Sequence, residues 1–338
     1  MLLAPTPALE TKMAITTAFT KAFHLSYPIG LAPMGGVAGG ALAAAVSNAG
    51  GLGLVGGGHG DREWLAKELA EVTERTQRPW GAGLITWNTN RQTLDFILDY
   101  KPSVVMLSFG DPRPYAGAIK KRGVKLICQV QSLEMASLAQ EAGADFIVAQ
   151  GTEAGGHGAH QALFPLLPAV IDAFHPTPVL AAGGIADGRG LAAVLMMGAC
   201  GALMGTRLYA SDEALGHRRI KERIVQATAQ DTVRTRIFDT IRGYDWPKPF
   251  TGRAIKNRFF EKWQGREGEL ADNLDAERQA YNRATQDGDP DIRVVFAGEG
   301  VDLIKSIEPA GEIVRQVGTE AARLLAGGPH LSQVLPQK

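Results

Sequence analysis

The chain is poor in cysteine, with only Cys128 and Cys200 in 338 residues. Two thiols cannot build a disulfide framework or a four-thiolate zinc site. Both sit in apolar runs, where a free thiol is a small buried side chain, and this usage fits a reducing, cytoplasmic compartment. Net charge is also lacking, because 35 basic and 35 acidic residues cancel. No bulk field therefore draws the chain to nucleic acid or to an anionic membrane surface. Long apolar runs are missing too. The longest, Leu191–Leu203, is too short to span a bilayer and contains Gly198 and Gly201. The first ten residues have no basic segment, and Pro5 and Pro7 interrupt any signal-peptide core. What the chain has in excess is glycine, 41 residues, well above the usual share of about 7%. The glycines follow no triplet period, which excludes collagen, and a hydrophobic content of 45% excludes disorder.

Short apolar runs recur along the first 230 residues, each followed by a helical pattern. The runs are Ile29–Pro33, Leu52–Gly56, Trp80–Ile85, Ser103–Phe109, Val124–Val130, Ala144–Gln150, Thr177–Ala182 and Gly201–Gly205. They are continuous rather than alternating, as parallel strands covered on both faces require. Between them, Ser132 reads as a helix N-cap, and a long helix is expected from strand eight to about Thr228. Eight strand–helix units close naturally into a (β/α)8 TIM barrel. A doubly wound open sheet is the rival, but glycine signals follow several strands here rather than one. The expected barrel spans residues 14–230. Residues 231–328 form a smaller, mostly helical C-terminal domain. Within it, Arg234–Arg266 holds nine basic and three acidic residues with Tyr244, Trp246, Phe250, Phe259, Phe260 and Trp263. It reads as a basic cap with buried aromatics, or as a holder of an anionic cofactor or substrate. Closing helices follow at Val301–Lys305 and Glu312–Leu325, and the last ten residues are expected to be loose.

A barrel of this kind carries its site where strands end, so glycines just after strands are the informative ones. Ala182-Gly183-Gly184 follows strand seven, and Met204-Gly205-Thr206 follows strand eight. Those two loops are the usual phosphate site of a barrel, where bare backbone approaches an anion. Two structural turns are the alternative. After strand six comes Gln150-Gly151-Thr152-Glu153-Ala154-Gly155-Gly156-His157-Gly158. A histidine among glycines can face an open cavity and move a proton near neutrality, or it can be a solvated loop residue. A metal pairing of His157 with His160 lacks further ligands nearby. Strand one ends in Ala32-Pro33-Met34-Gly35, a surface suited to a flat ring. Gln129, near the end of strand five, places a second amide toward the mouth if its parity is inward.

These motifs resemble the nitronate monooxygenases, formerly called nitroalkane dioxygenases. The matching segments are LAPMGG, NAGGLG, QGTEAGGHG, AAGGIADGRG with GLAAVLMMGA, and MGTR, in the family's order. RTRIFDTIRG, GRAIKNRF and AGEGVDLI extend the resemblance over most of the chain. The resemblance implies a TIM barrel with a smaller helical domain and one non-covalent FMN. It implies phosphate contacts at Gly183, Gly184, Gly205 and Thr206, with Met204 before them. Other flavin contacts are expected from Ala32, Pro33, Met34, Gly35, Gln129, Gln150, Gly155 and Gly156, and His157 is the expected catalytic group. No metal is implied. Two positions depart from the family pattern. Gly81-Ala82-Gly83 stands where many members carry an Asn, with Asn88 as a candidate replacement, and Leu203 stands where many carry a Gln. The implied activity is oxidation of alkyl nitronates by O2 to a carbonyl compound and nitrite, with neutral nitroalkanes as a further candidate substrate. The alternatives are an NAD(P)H-dependent FMN reductase acting on quinones or enoyl groups, and a non-catalytic phosphate-binding barrel. The expected partners are a small-molecule substrate and O2, with no nucleic acid and no membrane. A homodimer is left open.

Overall fold

The computed structural model describes residues 15–327. The readings made above for the first ten and last ten residues lie outside that range. Nine of the strands run β1 (Ile29–Leu31), β2 (Gly53–Gly56), β3 (Trp80–Ile85), β4 (Val104–Ser108), β5 (Lys125–Val130), β6 (Phe146–Gln150), β7 (Gly156–Gly158), β8 (Val179–Ala182) and β9 (Ala202–Met204). All except β7 form one parallel sheet in the order β1-β9-β8-β6-β5-β4-β3-β2. A parallel bridge from Gly30 to Leu52 joins the two ends of that order, giving a TIM-type barrel.

The continuous apolar runs now have a cause. Leu52, Leu54, Val104, Met106, Ile127, Phe146, Val148, Leu180 and Leu203 fill the inside of the barrel. Their neighbours Val55, Val105, Leu107, Leu126, Cys128, Ile147, Ala149 and Ala181 face the surrounding helices. Both faces of each strand are buried, so polar alternation has no place. The first helix, α1 (Ala18–Phe23), sends Phe19 and Phe23 into the inner cluster. Phe19 meets Phe146 edge-on at 5.7 Å. Phe146 begins β6, so α1 stoppers the end of the barrel opposite the strand C-termini.

The outer helices are α2 (Gly40–Asn48), α3 (Arg62–Arg75), α4 (Arg91–Asp99), α5 (Arg113–Lys121), α6 (Leu133–Glu141), α7 (Leu163–Phe174) and α8 (Gly188–Met196). Their starts are capped by side chains where the sequence offers them. Ser132 Oγ accepts from the Met135 amide at 3.2 Å, as its position predicts. The long helix expected after strand eight is instead two pieces, α9 (Thr206–Tyr209) and α10 (Arg218–Gln226). Ser211 Oγ turns back to the Leu208 carbonyl, Arg207 donates to the Ala210 carbonyl, and Gly216 sits at φ +105°. These local bonds satisfy the backbone without helix, and Gly216 then reverses the chain.

Past the barrel come β10 (Thr232–Thr235), α11 (Ile237–Arg242), β11 (Thr251–Ile255), α12 (Arg258–Trp263), α13 (Glu267–Asp272) and α14 (Leu274–Gln286). Phe238, Ile241, Phe259, Phe260, Trp263 and Tyr281 form a separate small core there. The lobe also contains a sheet that its composition did not announce. β10 pairs with β11, and β11 pairs with β7, all antiparallel. The loop after β6 therefore leaves the barrel wall and becomes an edge of the lobe. The expected helix at Val301–Lys305 is a 3-10 turn over Glu299–Leu303. The final helix, α15 (Ala310–Gly327), returns to pack on α8 and α2. Among the described residues, no helix is long and apolar enough to cross a membrane.

If α1 is the barrel's stopper, Phe19→Ala leaves a cavity between Phe23, Phe146 and Leu203. The expected loss is about 3–5 kcal/mol of unfolding free energy, read by denaturant titration. A midpoint equal to wild type would show that the barrel does not depend on this plug.

Candidate active site at the barrel mouth

His157 sits in the middle of β7, opposite Gly252 of β11. Gly156, at φ +71°, turns the chain into that strand. Gln150, the last residue of β6, donates from Nε2 to the His157 carbonyl at 3.1 Å. Gln150 Oε1 in turn accepts from Gln131 Nε2 at 2.7 Å. The imidazole lies flat on Trp246, with centroids 3.5 Å apart and planes 8° apart. Its Nε2 contacts both Asp239 carboxylate oxygens, at 2.9 and 3.0 Å. The two side chains are 9% and 3% exposed, so this pair is shut off from solvent. Burial, the largest influence, pushes the imidazole below its ordinary pKa. The Asp239 carboxylate opposes that push, while Arg242 and Arg234 add to it.

Two arginines of the lobe sheet clamp the loop that precedes His157. Arg234 donates to the Thr152 carbonyl at 2.9 Å and to the Thr251 carbonyl at 2.7 Å. Arg253 donates to the same Thr152 carbonyl at 2.9 Å and pairs with Glu299 at 2.8 Å. Burial, with Arg253 nearby, brings Arg234 down to about 10.

Trp246 and Phe296 flank the histidine, and further aromatics back Trp246. Trp246 is 2% exposed and meets Trp87, Phe109 and Phe250 edge-on at 5.2–6.3 Å. His59 stacks on Tyr244 at 3.9 Å. Asn88 Nδ2 donates to His59 Nδ1 at 2.7 Å, which places the His59 proton on Nε2. Burial and then Arg242 lower His59 to about 4. Several buried polar atoms in this region have no protein partner: Thr86 Oγ1, Trp87 Nε1, Gln131 Oε1, Trp246 Nε1 and Thr251 Oγ1. Buried polar groups are normally paired, so such a gathering fits a ligand that carries both donors and acceptors.

The glycine loops after β8 and β9 meet in one corner. Gly183 and Gly184 hold φ of +113° and +69°, so their backbone takes a path closed to most side chains. Gly205 precedes α9, with Ala32 and Met34 packed beside it. Thr206 Oγ1 accepts from the Gly298 amide at 3.0 Å. A Cβ on Gly300 would stand 2.9 Å from the Gly184 carbonyl oxygen. The corner thus includes the strip Ala297–Gly300, which arrives from the far end of the chain.

The other expected site residues distribute as follows. Ala32 donates its amide to the Met204 carbonyl at 2.9 Å. The Met204 side chain itself packs in the outer core, away from the mouth. Pro33 packs on Gly83, and Gly35 faces Gly58. Gly155 lies against the Ala297–Gly298 backbone, where a Cβ would come within 2.6 Å, so its bareness serves a chain contact. Gln129 shares the inward parity of Ile127 and is half-buried. Asn88 is committed to His59, and Leu203 is buried inside the barrel.

The sequence did not single out Asp239, Gln131, Arg234, Trp246, Arg253, Gly298 or Gly300, although the ligand-holding alternative for Arg234–Arg266 covers four of them. AGEGVDLI carried a signal in its two glycines. Asp239 carried none, being one carboxylate on a short helix.

A family model described as nitronate monooxygenase matches residues 16–91 and 85–320. The chain is 33% identical over 328 residues to nitronate monooxygenase npaC of Metarhizium robertsii. That match covers 87% of this chain and 90% of the relative. FabK from Thermotoga maritima superposes with a TM-score of 0.83 at 32% identity, covering 93% of this chain and 98% of that one. A nitroalkane oxidase from Streptomyces ansochromogenes gives 0.79 at 28% identity, with 92% and 99% covered.

The low pKa of His59 has a consequence for stability. Below its ordinary value of 6.5, an unfolded chain binds a proton that the folded chain refuses until about pH 4. Stability contributed by neutral His59 is complete above that ordinary value and is lost as pH falls toward 4. His59→Gln is therefore expected to show a smaller fall in Tm than wild type between about pH 7 and about pH 5. Equal falls in a thermal melt series would remove His59 from the acid response.

Proposed function

Because the chain belongs to the nitronate monooxygenase family, which matches it over residues 16–91 and 85–320, we propose that it is an FMN-dependent oxidoreductase. Its proposed reaction uses O2 to convert alkyl nitronates to a carbonyl compound and nitrite. The observation that carries this reading is His157. It is a buried imidazole held below its ordinary pKa, fixed by a carboxylate and an aromatic plane, at the mouth end of β6.

The residues present fit the flavin. Gly183, Gly184, Gly205 and Thr206 would hold its phosphate. Ala32, Pro33, Met34, Gly35, Gln129, Gln150, Gly155 and Gly156 are the proposed ring contacts. Gln131 Oε1 is a buried acceptor without a partner, of the kind a ring N–H satisfies. Bound FMN would supply the redox chemistry between substrate and O2. The chain's own residues do the rest. The neutral His157 imidazole takes a proton from a neutral nitroalkane, and once charged it holds the anionic nitronate. Trp246, Trp87, Phe109 and Phe250 keep water from that proton and strengthen every polar contact inside the wall. Arg234 and Arg253 fix the loop on which His157 is mounted.

His157→Ala is expected to keep the yellow flavin spectrum. Turnover of neutral nitroalkanes should fall about 10²–10⁴-fold, with a smaller loss for preformed nitronates, both read by nitrite release. Unchanged neutral-nitroalkane kinetics would remove His157 from proton transfer. Gly184→Val forces a branched side chain into positive φ. It is expected to weaken FMN affinity by about ten-fold or more, read by fluorescence titration of the apoprotein. Affinity equal to wild type would place the phosphate elsewhere.

The likeness to FabK favours a second reading, an NAD(P)H-dependent FMN reductase. Anaerobic mixing separates the two. A one-electron change in the flavin spectrum with propyl nitronate, and no bleaching by NADH or NADPH, supports the monooxygenase; fast bleaching by a nicotinamide supports the reductase.

A further inference from the structure

Asp239 is 2% exposed, and both hydrogen bonds of its carboxylate go to one atom, His157 Nε2. It reaches that atom from α11 of the lobe, 82 residues further along the chain. A buried carboxylate is costly unless it is paired and hydrogen-bonded. The arrangement is satisfied only when the His157 ring carries its proton on Nε2, aimed at Asp239. The remaining ring nitrogen, Nδ1, then holds the lone pair. Among the described residues, no protein group hydrogen-bonds Nδ1. The Trp246 face fixes the ring plane, and the β7–β11 pairing fixes the backbone beneath it.

We propose that Asp239 is a positioning residue. It holds His157 in the Nε2–H tautomer, presents Nδ1 as the proton acceptor, and stabilises the imidazolium that forms there. In the step concerned, the carbon–hydrogen bond next to the nitro group breaks and its proton moves to Nδ1. The electron pair stays on the substrate and forms the carbon–nitrogen double bond of the nitronate. No oxidant takes part in this step. A neutral nitroalkane and a neutral imidazole become an anion and a cation, and the new cation lies against a carboxylate already in place.

The other charged and titratable groups facing the ring do not fill this role. Arg242 of α11 and Arg234 of β10 oppose a charge on His157. His59, from the segment between β2 and α3, is itself held neutral down to about pH 4. Asp239 is the neighbour that favours the imidazolium, and it acts against the burial that keeps the resting ring neutral.

The use of Nδ1 in catalysis rests on the nitronate reading above, whereas the state of the ring does not. The test therefore has two arms on the FMN-loaded protein. In the first, 15N-histidine NMR follows His157, with its signal assigned by His157→Gln. Wild type is expected to show a protonated Nε2 and an unprotonated Nδ1 above the titration midpoint. Asp239→Asn keeps an acceptor oxygen but loses the charge, and it should lower the midpoint by about one unit or more. In the second arm, the ratio of kcat/KM for a neutral nitroalkane to that for its nitronate should fall about ten-fold or more in Asp239→Asn. The acid limb of its pH profile should move with the NMR midpoint, and Asp239→Glu should recover part of the loss.

A wild-type ring protonated on Nδ1 overturns the proposal, and so does an Asp239→Asn protein with unchanged midpoint and pH profile. A merely structural Asp239 would lower Tm or FMN content and leave the profile where it was. If Asp239→Asn does not fold, the wild-type tautomer still decides. If neither nitroalkane nor nitronate is turned over, the functional reading fails while the NMR arm still reports on the pair.

Discussion

His157 and Gly252 face one another across a ladder only three residues long, and the site depends on that ladder. It takes the glycine-rich loop after β6 out of the barrel wall and makes it part of the lobe. Only then does the imidazole reach Asp239 and Trp246, both of which belong to the lobe. A loop of four glycines has little intrinsic order, and each glycine adds conformational entropy that must be lost on folding. The lobe supplies the order from outside, through strand pairing and through two guanidinium groups on the Thr152 carbonyl.

This arrangement explains why buried charge is tolerated beside an apolar wall. Arg234 has no carboxylate partner at hydrogen-bond distance among the described residues. It is held by the carbonyls of Thr152 and Thr251 and by the Thr152 hydroxyl. Arg253 shares the Thr152 carbonyl and adds the Thr232 hydroxyl and Glu299. The Thr152 carbonyl belongs to the turn after β6, where a buried backbone group needs a partner. Buried cations and stranded carbonyls thus satisfy each other, and the geometry of the loop is the product. Asp239 follows the same logic with opposite sign. Its charge is tolerated because a ring nitrogen is aimed at it.

The glycines divide by the job they do. Gly183 and Gly184 hold a backbone path that a side chain would strain, at the corner suited to an anion. Gly155, Gly298 and Gly300 let three stretches of chain touch without side chains between them. The second group is as important to the site as the first, because it brings Ala297–Gly300 against the loops after β6 and β8. An excess of glycine in such a fold therefore marks both bare, left-handed backbone at the mouth and places where the chain approaches itself.

The sequence by itself determined the barrel. Each strand is a local apolar run and each helix a local period, in several cases with a local cap such as Ser132, and both patterns lie within a few consecutive residues. It also determined which glycine-rich loops stand at the barrel mouth, since Gln150–Gly158, Gly183–Gly184 and Gly205–Thr206 follow strands directly. The break between α9 and α10 escaped it, because Ser211 and Arg207 satisfy the backbone in a way that helical periodicity does not register. The tertiary structure alone decided the lobe sheet, whose strands are short and rich in arginine, threonine and glycine, and whose pairing spans nearly a hundred residues. It alone decided the partners of His157. Nothing near Asp239 or Trp246 in sequence sets them apart from other lobe residues. Their role follows from burial against one imidazole, and burial is a property of the assembled chain.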